Sequence, residues 1–320
     1  MPLKEFPEYT IEKPVPIEKA IDDLRRPIVK VIRKILKLLQ PIAGPKHTDI
    51  WWLGEIAVRI LGKQSFDTKL ICGSWISLAL PVYTSHFIHG GDLKRFGKDN
   101  IHPIMRRKAK IGTVAVDIGA SCGQEVVTLS KAVGEEGIVY CFEPSYSFHA
   151  LLRTVSLNRL KNVVCVQAAV GKKSGYMNAQ ADQFYLIGNE SQYVDDGGIP
   201  VLALDKFFES IHETRPVSLI KIDTDGFELE VMRGCENIFN QNPEIEIIAE
   251  FETQFDYSGF RGKELLKEYK RMGFSISKIQ TSTEAVDEDD FDKYIEKMRD
   301  PLEMISHDIV LRRSLDNKNT

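Results

Sequence analysis

Short apolar runs alternate with helical stretches over the last two thirds of the chain. The runs have the length and composition of buried strands and read TVAVDIG, GIVYCFEP, NVVCVQAAVG, VSLIKID, EIEIIAEF, GFSISKIQ and HDIVLRR. Stretches such as QEVVTLSKAV and GKELLKEYKRM, which have apolar residues at helical spacing, separate them. Strands that alternate with helices predict a mostly parallel sheet with helices on both faces. We therefore expect an α/β, Rossmann-like fold built on seven strands.

An amphipathic basic helix is the clearest pattern before residue 100. Within IEKAIDDLRRPIVKVIRKILKLLQ, apolar residues recur at alternating spacings of three and four, opposite a basic face. They are Ile21, Leu24, Ile28, Val31, Ile35 and Leu38. Because proline suits the first turn of a helix, we expect a helix from about Pro27 to Gln40. Its apolar stripe is expected to pack on the α/β domain, and the alternative is a peripheral membrane or protein contact through residues 17–40.

The pattern divides the chain into three parts. Residues 1–100 form a largely helical N-terminal extension that carries the amphipathic basic helix. Residues 101–314 form the α/β domain, and residues 315–320 form a polar tail that is expected to be disordered. The acidic stretch AVDEDDFDKYIEKMRD lies between the last two predicted strands, and we interpret it as a solvated helix that could form a lid.

Composition argues against several classes of function. The net charge is −4, so the chain as a whole offers no basic field and we expect no nucleic-acid partner. Five scattered cysteines without a C-x-x-C pair argue against a zinc cage or a disulfide framework and favour a reducing compartment. The first residues lack the apolar core of a secretion signal, and no stretch reaches the roughly 18–20 apolar residues of a membrane span. We expect a cytoplasmic protein, with peripheral membrane association as the alternative.

The ends of the first two predicted strands carry candidate ligand-binding residues. In parallel sheets, ligands bind beyond the carboxyl ends of the strands. Asp117 closes the first strand, and Gly119 and Gly123 flank a tight loop before a helix. Glu143 ends the second strand, where a carboxylate can accept two hydrogen bonds from a ribose. A glycine-rich turn followed by this acid predicts an adenosine-type cofactor, although the glycine spacing does not match the dinucleotide fingerprint.

The order and spacing of these motifs resemble a known family. The run from VAVDIGASCGQEVVTL through GIVYCFEP to NVVCVQAAVG, followed by VLALDKFF, LIKIDTDGFELEVMRGCENIF and IEIIAEF, resembles the FkbM-type S-adenosylmethionine-dependent methyltransferases over residues 112–252. Members of that family are mostly O-methyltransferases of sugars or polyketide-like metabolites, on the seven-stranded class I methyltransferase fold. The resemblance implies O-methylation of a hydroxyl on a sugar, a glycan or a small metabolite.

The same resemblance assigns cofactor-binding residues. Asp117, Gly119 and Gly123 would line the methionine part of S-adenosylmethionine, and Glu143 would hold its ribose. The neighbouring loop positions complete the implied site with Ala120, Ser121, Pro144 and Ala168. This chain departs from the family at two points. Ser121 stands where the family usually has Asn, and Thr224–Asp225 stand where it usually has Val–Glu, which keeps the carboxylate.

Methyl transfer to an alcohol needs a group that takes the hydroxyl proton. Because the sulfonium methyl is already activated, the protein mainly has to align the acceptor oxygen and to provide a base or a metal. Asp223 ends a central strand beside the cofactor loop and is the predicted base. Lys221, two residues earlier, lies on the same side of that strand, where it can pair with Asp223 or orient the substrate. Glu250, at the end of the next strand, is the second candidate, and a divalent metal is the alternative to a base.

Other polar residues have competing interpretations. Asp225 precedes a glycine and a helical run, so it is either a helix N-cap or a contact for substrate or metal. Glu228 is expected in the first turn of that helix, and Glu230 is expected to face solvent. His86, three residues before His89, is a candidate contact for a metal or a substrate, or a structural loop residue.

Two other classes of function remain open from the sequence. One is a methyltransferase-like scaffold that binds a partner and has lost its chemistry. The other is a nicotinamide-dependent oxidoreductase, which the glycine spacing disfavours. No motif encodes the acceptor, whose contacts are expected from residues 41–110, the segment ADQFYLIGNESQYVDDGG and residues 281–305.

Overall fold

The computed structural model describes most of the α/β domain and parts of the N-terminal extension. The described residues are 8–15, 26–43, 51–61, 65–69, 73–80, 83, 101–178, 193–194, 198–252, 263–279, 285–286 and 306–313. Several predicted features lie outside them: His86, His89, most of the acidic stretch AVDEDDFDKYIEKMRD and the tail 315–320.

The secondary structure follows the alternating pattern of the sequence. The strands are β1 (Thr10–Glu12), β2 (Ser65–Lys69), β3 (Trp75–Ala79), β4 (Val114–Ile118), β5 (Ile138–Phe142), β6 (Val163–Gln167), β7 (Ala169–Val170), β8 (Gly175–Met177), β9 (Tyr193–Val194), β10 (Ile199–Leu202), β11 (Val217–Ile222), β12 (Glu246–Glu252), β13 (Phe274–Ile279), β14 (Ala285–Val286) and β15 (Ser306–Arg313). The helices are α1 (Pro27–Ala43), α2 (Trp51–Leu61), α3 (Ile101–Lys108), α4 (Val126–Val133), α5 (Ser147–Leu157), α6 (Leu204–Ser210), α7 (Glu228–Arg233), α8 (Glu236–Gln241) and α9 (Lys263–Arg271).

A nine-stranded sheet forms the centre of the described structure, in the order β1-β6-β5-β4-β11-β12-β15-β13-β14. Every strand predicted from the sequence is present in it. The strands from β6 to β12 in this order run parallel, whereas β15 and β13 are antiparallel to their neighbours. The short strands β1 and β14 extend the two edges and were not predicted. Within the described residues the sheet is therefore mixed and nine-stranded, which corrects the expected seven mostly parallel strands.

Successive side chains of a strand point alternately to the two faces of the sheet, and a layer of helices covers each face. On β4, Val116 joins a buried cluster that includes residues of α6, α7 and α9, whereas Ala115 joins a cluster with residues of α3, α4 and α5. Successive side chains of a strand point to opposite faces, so Asp117 follows Ala115 to the α3 side of the sheet. Lys221 follows Leu219, which belongs to the same cluster as Ala115. The fold thus places these two charged side chains on one face of the sheet.

The N-terminal extension packs on the α/β domain through a hairpin that was not predicted. Strands β2 and β3 pair antiparallel, and the buried Asp67 of β2 forms a bidentate ion pair with Arg153 of α5. The backbone N–H of Trp75 donates to Asn158 Oδ1 at 2.9 Å, and Asn158 Nδ2 donates back to the Trp75 carbonyl at 2.7 Å. In the described residues the extension contains strands as well as helices, so its largely helical character is not confirmed. The domain boundary at residue 100 stays a prediction.

Helix α1 packs on the hairpin and α2. It begins at Pro27, as predicted, and ends at Ala43. Val29 and Leu36 are only 4% and 1% exposed, in a cluster shared with α2 and β3. Among the described residues, none of the helices has both the length and the apolar character that a bilayer crossing requires.

The predicted apolar stripe of α1 is not the face that packs. Val31, Ile35 and Leu38 are 58%, 51% and 70% exposed. The prediction that this stripe packs on the α/β domain is therefore wrong at these positions. Its other members lie outside the described residues: Ile21, Leu24 and the side chain of Ile28.

Candidate active site

A cavity of about 290 Å³ opens at the carboxyl ends of β4, β5 and β11. It is lined by many of the predicted site residues: Gly119, Ser121, Glu143, Pro144, Ala168, Lys221, Asp223 and Asp225. Asp117, Ala120 and Gly123 belong to the strand and loop that form one side of it. The strand ends therefore meet at one place, as the parallel arrangement requires. The roles of the individual residues stay predictions.

The loop after β4 contacts the end of β11 backbone to backbone at Gly119. This glycine has φ +78°, and a Cβ added to it would lie 1.7 Å from the carbonyl oxygen of Asp223. The N–H of Gly119 donates to the carbonyl of Phe142 at 3.0 Å, and the N–H of Asp223 donates to the carbonyl of Ile118 at 2.9 Å. Only glycine fits this position, because any side chain would push the two strand ends apart.

Ser121 occupies a backbone conformation that explains the usual residue of the family there. Its φ is +46°, in the left-handed region that asparagine tolerates better than most residues. Its N–H donates to Glu143 Oε2 at 2.8 Å, and its hydroxyl lies 3.0 Å from the hydroxyl of Tyr83. The serine therefore fits the turn through its hydrogen bonds, although its side chain prefers other backbone angles.

Glu143 is anchored by backbone donors from two loops. Its Oε2 accepts from the Ser121 N–H and its Oε1 accepts from the Ser145 N–H, each at 2.8 Å. Burial raises the pKa of Glu143, and these hydrogen bonds offset part of the rise. The Ser145 side chain donates a third hydrogen bond to this carboxylate. The two oxygens have four lone pairs between them, so the carboxylate can still accept from a ligand. This geometry suits the predicted ribose contact.

Tyr83 connects the N-terminal extension to the loop after β4, and the sequence did not predict it as a site residue. It is buried, its hydroxyl contacts the Ser121 hydroxyl, and Gln124 Nε2 donates to that hydroxyl at 2.7 Å. Burial raises the pKa of Tyr83 well above its usual value, so the phenol is neutral. No spacing in WISLALPVYTS distinguishes this tyrosine from an ordinary core residue. Only the fold brings it to the cavity.

Tyr83→Phe should lower affinity for S-adenosylhomocysteine by roughly three- to tenfold, because one hydrogen bond that positions the loop contributes about 0.5–1.5 kcal/mol. Tyr140→Phe is the matched control, since the Tyr140 hydroxyl donates to Glu213 Oε2 at 2.7 Å and Tyr140 does not line the cavity. Isothermal titration calorimetry on both variants measures the effect. Equal losses from the two variants would show that Tyr83 acts only through general stability.

Lys221 and Asp223 form a close ion pair at the cavity. Lys221 is buried on β11, and its Nζ donates to Asp223 Oδ2 at 2.6 Å. Burial lowers the pKa of Lys221, but the carboxylates of Asp223, Glu125 and Asp117 outweigh this and raise it well above the usual value. Burial raises the pKa of Asp223, but the Lys221 ammonium outweighs this and holds it below the usual range. Both groups are therefore charged at neutral pH.

Asp117 and Glu125 add two further acids to this cluster. Asp117 is fully buried, and neither of its carboxylate oxygens has a hydrogen-bond partner among the described residues. Burial raises the pKa of Asp117 to about 6, against the opposing effect of Lys221. Burial likewise raises the pKa of Glu125, directly before α4, to about 8. Glu125 is therefore mostly protonated at neutral pH, and a ligand with a cationic centre would favour the ionised form of both acids.

Glu250 reaches Asp223 from the neighbouring strand. A side-chain hydrogen bond joins the two residues and helps to lower the pKa of Asp223. Two carboxyl groups can form a hydrogen bond only if one of them carries a proton. Glu250 also lies opposite Asp308 of β15 in the sheet register. The end of β12 therefore supplies a second acid beside the predicted base.

The acids after β11 divide between the cavity and the protein interior. Asp225 has φ +52° and lines the cavity, and the N-cap position of α7 is Phe227, so the N-cap interpretation of Asp225 is wrong. Glu228 lies in the first turn of α7, as predicted, and its Oε1 accepts from the Thr224 N–H at 2.9 Å. Glu230 was expected to face solvent and this is also wrong.

The Glu230 side chain is buried and pairs with Arg233 one turn further along α7. An ion pair at a spacing of three residues allows an acid to leave solvent without losing its charge partner.

In the described residues no group of three or more His, Cys, Asp or Glu side chains is arranged to hold a metal ion.

The model of the methyltransferase FkbM domain matches residues 117–276, which is half of the chain. The chain is a member of the FkbM methyltransferase family. The match begins at Asp117 and runs through the strands whose ends form the cavity, so the family domain coincides with the described site. FkbM methyltransferases use S-adenosylmethionine, and the resemblance given by the sequence motifs is confirmed.

Several solved structures are similar to this FkbM methyltransferase at low sequence identity. No curated protein matches it. A methyltransferase dependent on S-adenosylmethionine from Aquifex aeolicus is 14% identical, with TM-score 0.37, over 72% of this chain and 96% of its own. A precorrin-6y C5,15-methyltransferase from Geobacter metallireducens is 10% identical, with TM-score 0.37, over 69% of this chain and 92% of its own. A Streptococcus mutans protein in complex with SAH is 10% identical, with TM-score 0.39, over 67% of this chain and 96% of its own. The family model alone therefore carries the assignment.

Proposed function

We propose that this protein transfers a methyl group from S-adenosylmethionine to a hydroxyl oxygen of a sugar, a glycan or a small metabolite. The observation that supports this most is the position of Asp223. Its carboxylate is ionised, lies 2.6 Å from the Lys221 ammonium and lines the same cavity as Glu143. A fixed carboxylate beside the cofactor loop is what a hydroxyl acceptor needs, because an amine acceptor can lose its proton to water.

The residues of the cavity fit S-adenosylmethionine. Asp117 has two buried carboxylate oxygens without a hydrogen-bond partner among the described residues, and the cationic methionine end would supply the hydrogen bonds that they lack. Glu143 keeps acceptor capacity for a ribose hydroxyl beside its three protein hydrogen bonds. When bound, the cofactor supplies an activated methyl group. The protein then contributes alignment, which can account for roughly 7–11 kcal/mol of a barrier.

The proton of the acceptor passes to Asp223 in this proposal. A carboxylate with a lowered pKa is a weak base towards a free alcohol, but the alcohol oxygen becomes strongly acidic as the new C–O bond forms. Asp223 can therefore accept the proton late in the reaction. Lys221 keeps Asp223 ionised and holds its Oδ2. Glu250, hydrogen-bonded to Asp223, is a positioning residue for the same carboxylate.

Glu143→Gln should weaken binding of S-adenosylhomocysteine by roughly 10–100-fold, because the loss of charged hydrogen bonds costs about 1.5–3 kcal/mol. In the wild type, each Glu143 carboxylate oxygen accepts a hydrogen bond from a backbone N–H. The NH₂ group of glutamine would face one of these two donors and could not accept from it. Glu213→Gln is a control, since that acid contacts Tyr140 and Arg215 and does not line the cavity. Calorimetry that gave wild-type affinity for Glu143→Gln would remove Glu143 from the cofactor site.

The acceptor can be found by incubating the purified protein with methyl-labelled S-adenosylmethionine and fractions of a native extract. Mass spectrometry of the labelled products should locate the methyl group on an oxygen. Label on nitrogen or carbon would overturn the hydroxyl assignment while leaving the family assignment intact. S-adenosylhomocysteine that failed to raise the melting temperature would instead favour a scaffold that has lost its chemistry.

We also propose that the protein works in the cytoplasm. The cysteines of the described residues, Cys122, Cys141, Cys165 and Cys235, are free and buried. Cys141 and Cys165 lie opposite each other on β5 and β6 as thiols, which supports a reducing compartment.

A further inference from the structure

The exposed side of α1 combines aliphatic and cationic residues. We define the α1 face as the exposed residues Lys30, Val31, Lys34, Ile35, Lys37 and Leu38. The aliphatic members are spaced four and three residues apart, so they lie along one side of the helix. A lysine directly precedes each of them, and successive residues turn by about 100° around a helix. The lysines therefore form a second stripe beside the aliphatic one.

The opposite side of α1 attaches this face to the rest of the protein. Val29 and Leu36 are buried in the cluster with α2 and the β2–β3 hairpin. The hairpin is joined to α5 by the ion pair between Asp67 and Arg153. The α1 face therefore belongs to a packed helix of the fold, and its three large aliphatic side chains are exposed while others of the same helix are buried.

The charge of α1 narrows the choice of partner. The helix carries four basic residues and no acidic one, in a chain with a net charge of −4. A second copy of the chain would oppose positive charge with positive charge, which disfavours self-association through this face. A nucleic acid would pair with the lysines but would give the aliphatic side chains no apolar surface to contact. A lipid surface with anionic headgroups offers both a negative charge and an apolar layer.

We propose that the protein binds the surface of an anionic phospholipid bilayer through the α1 face. The helix lies in the plane of the interface. Val31, Ile35 and Leu38 enter the boundary between headgroups and acyl chains, and the lysine side chains extend to the headgroups. The catalytic domain stays in water on the other side of α1, attached through the hairpin.

The test is cosedimentation of the full chain with phospholipid vesicles. Wild-type protein should sediment with vesicles that contain about 30% phosphatidylserine, less as salt is added, and little with pure phosphatidylcholine. Lys30→Gln, Lys34→Gln and Lys37→Gln together should lower the partition coefficient roughly a hundredfold. Val31→Ser, Ile35→Ser and Leu38→Ser together should lower it at least roughly tenfold.

A matched control makes the same charge change elsewhere. Lys131, Lys161 and Lys267 are exposed and lie outside α1, and their joint change to glutamine should leave vesicle binding as in the wild type. Melting temperature and S-adenosylhomocysteine affinity establish that each variant is folded. The proposal is overturned if both α1 triple variants sediment like the wild type, or if the wild type fails to sediment with anionic vesicles. It is also overturned if ultracentrifugation shows that the α1 face instead mediates a dimer.

Discussion

Asp223→Asn should leave affinity for S-adenosylhomocysteine nearly unchanged and lower methyl transfer by roughly 10²–10⁴-fold. Asparagine keeps the size and shape of the side chain, but it cannot accept the hydroxyl proton. In the wild type, Lys221 donates to Asp223 at 2.6 Å and holds the pKa of that carboxyl below its usual range. The ionised carboxylate is therefore formed before the acceptor arrives, and the substitution removes it.

Asp225→Asn is the matched control for this prediction. Asp225 lines the same cavity, and its change to asparagine removes the same charge and keeps the same shape. It should reduce turnover less than about tenfold. Single-turnover rates with labelled S-adenosylmethionine and the identified acceptor compare the two. If Asp223→Asn reacted at close to the wild-type rate, or Asp225→Asn were the more damaging change, the base would be Asp225 or Glu250.

Asp117→Asn should stabilise the cofactor-free protein at neutral pH and weaken cofactor binding. Burial raises the pKa of Asp117 to about 6, and its oxygens have no hydrogen-bond partner among the described residues. The unfolded chain has a value of about 3.9, so the wild type loses stability as the pH rises from about 4 to about 6 and does not regain it above that range. The difference between these two pKa values corresponds to a loss of about 3 kcal/mol in the free energy of unfolding at neutral pH. It is an upper limit, because Lys221 loses a neighbouring charge in the variant.

Denaturant unfolding of both proteins at about pH 4 and about pH 7.5 measures this effect. The variant should be the more stable protein at the higher pH and should have no advantage at the lower one, where Asp117 of the wild type is protonated. Its affinity for S-adenosylmethionine should fall roughly tenfold or more. A variant that was less stable than the wild type at about pH 7.5 would show instead that Asp117 and Lys221 form a net stabilising ion pair.

The position of the site could be predicted because buried parallel strands have a recognisable pattern in the sequence. Apolar runs that end in Asp117, Glu143, Asp223 and Glu250 mark the strand ends, and a parallel sheet brings such ends together. Tyr83 could not be found in this way. Its contact with Ser121 depends on how the hairpin packs on α5, which is a long-range arrangement that no local pattern encodes.

Helix α1 shows why the buried face of a helix cannot always be read from spacing. Its apolar residues form two stripes on opposite sides of the helix, one through Val31, Ile35 and Leu38 and one through Val29 and Leu36. Both have the spacing of a helical face. The first stripe was predicted to pack, and the structure buries the second. The prediction that Glu230 faces solvent was wrong because its ion pair with Arg233 allows this acid of α7 to be buried.

The backbone contact between Gly119 and Asp223 limits how this enzyme can be changed by evolution or by engineering. A loop from a relative that replaced the loop after β4 would have to pass the backbone after β11 at the same close distance. Even one added Cβ atom at Gly119 would collide with that backbone. We therefore expect that a change in the backbone of one loop requires a matching change in the other. New acceptors are more easily accommodated by changing the side chains that these loops present, or the residues that the N-terminal extension contributes, than by changing the length of either loop.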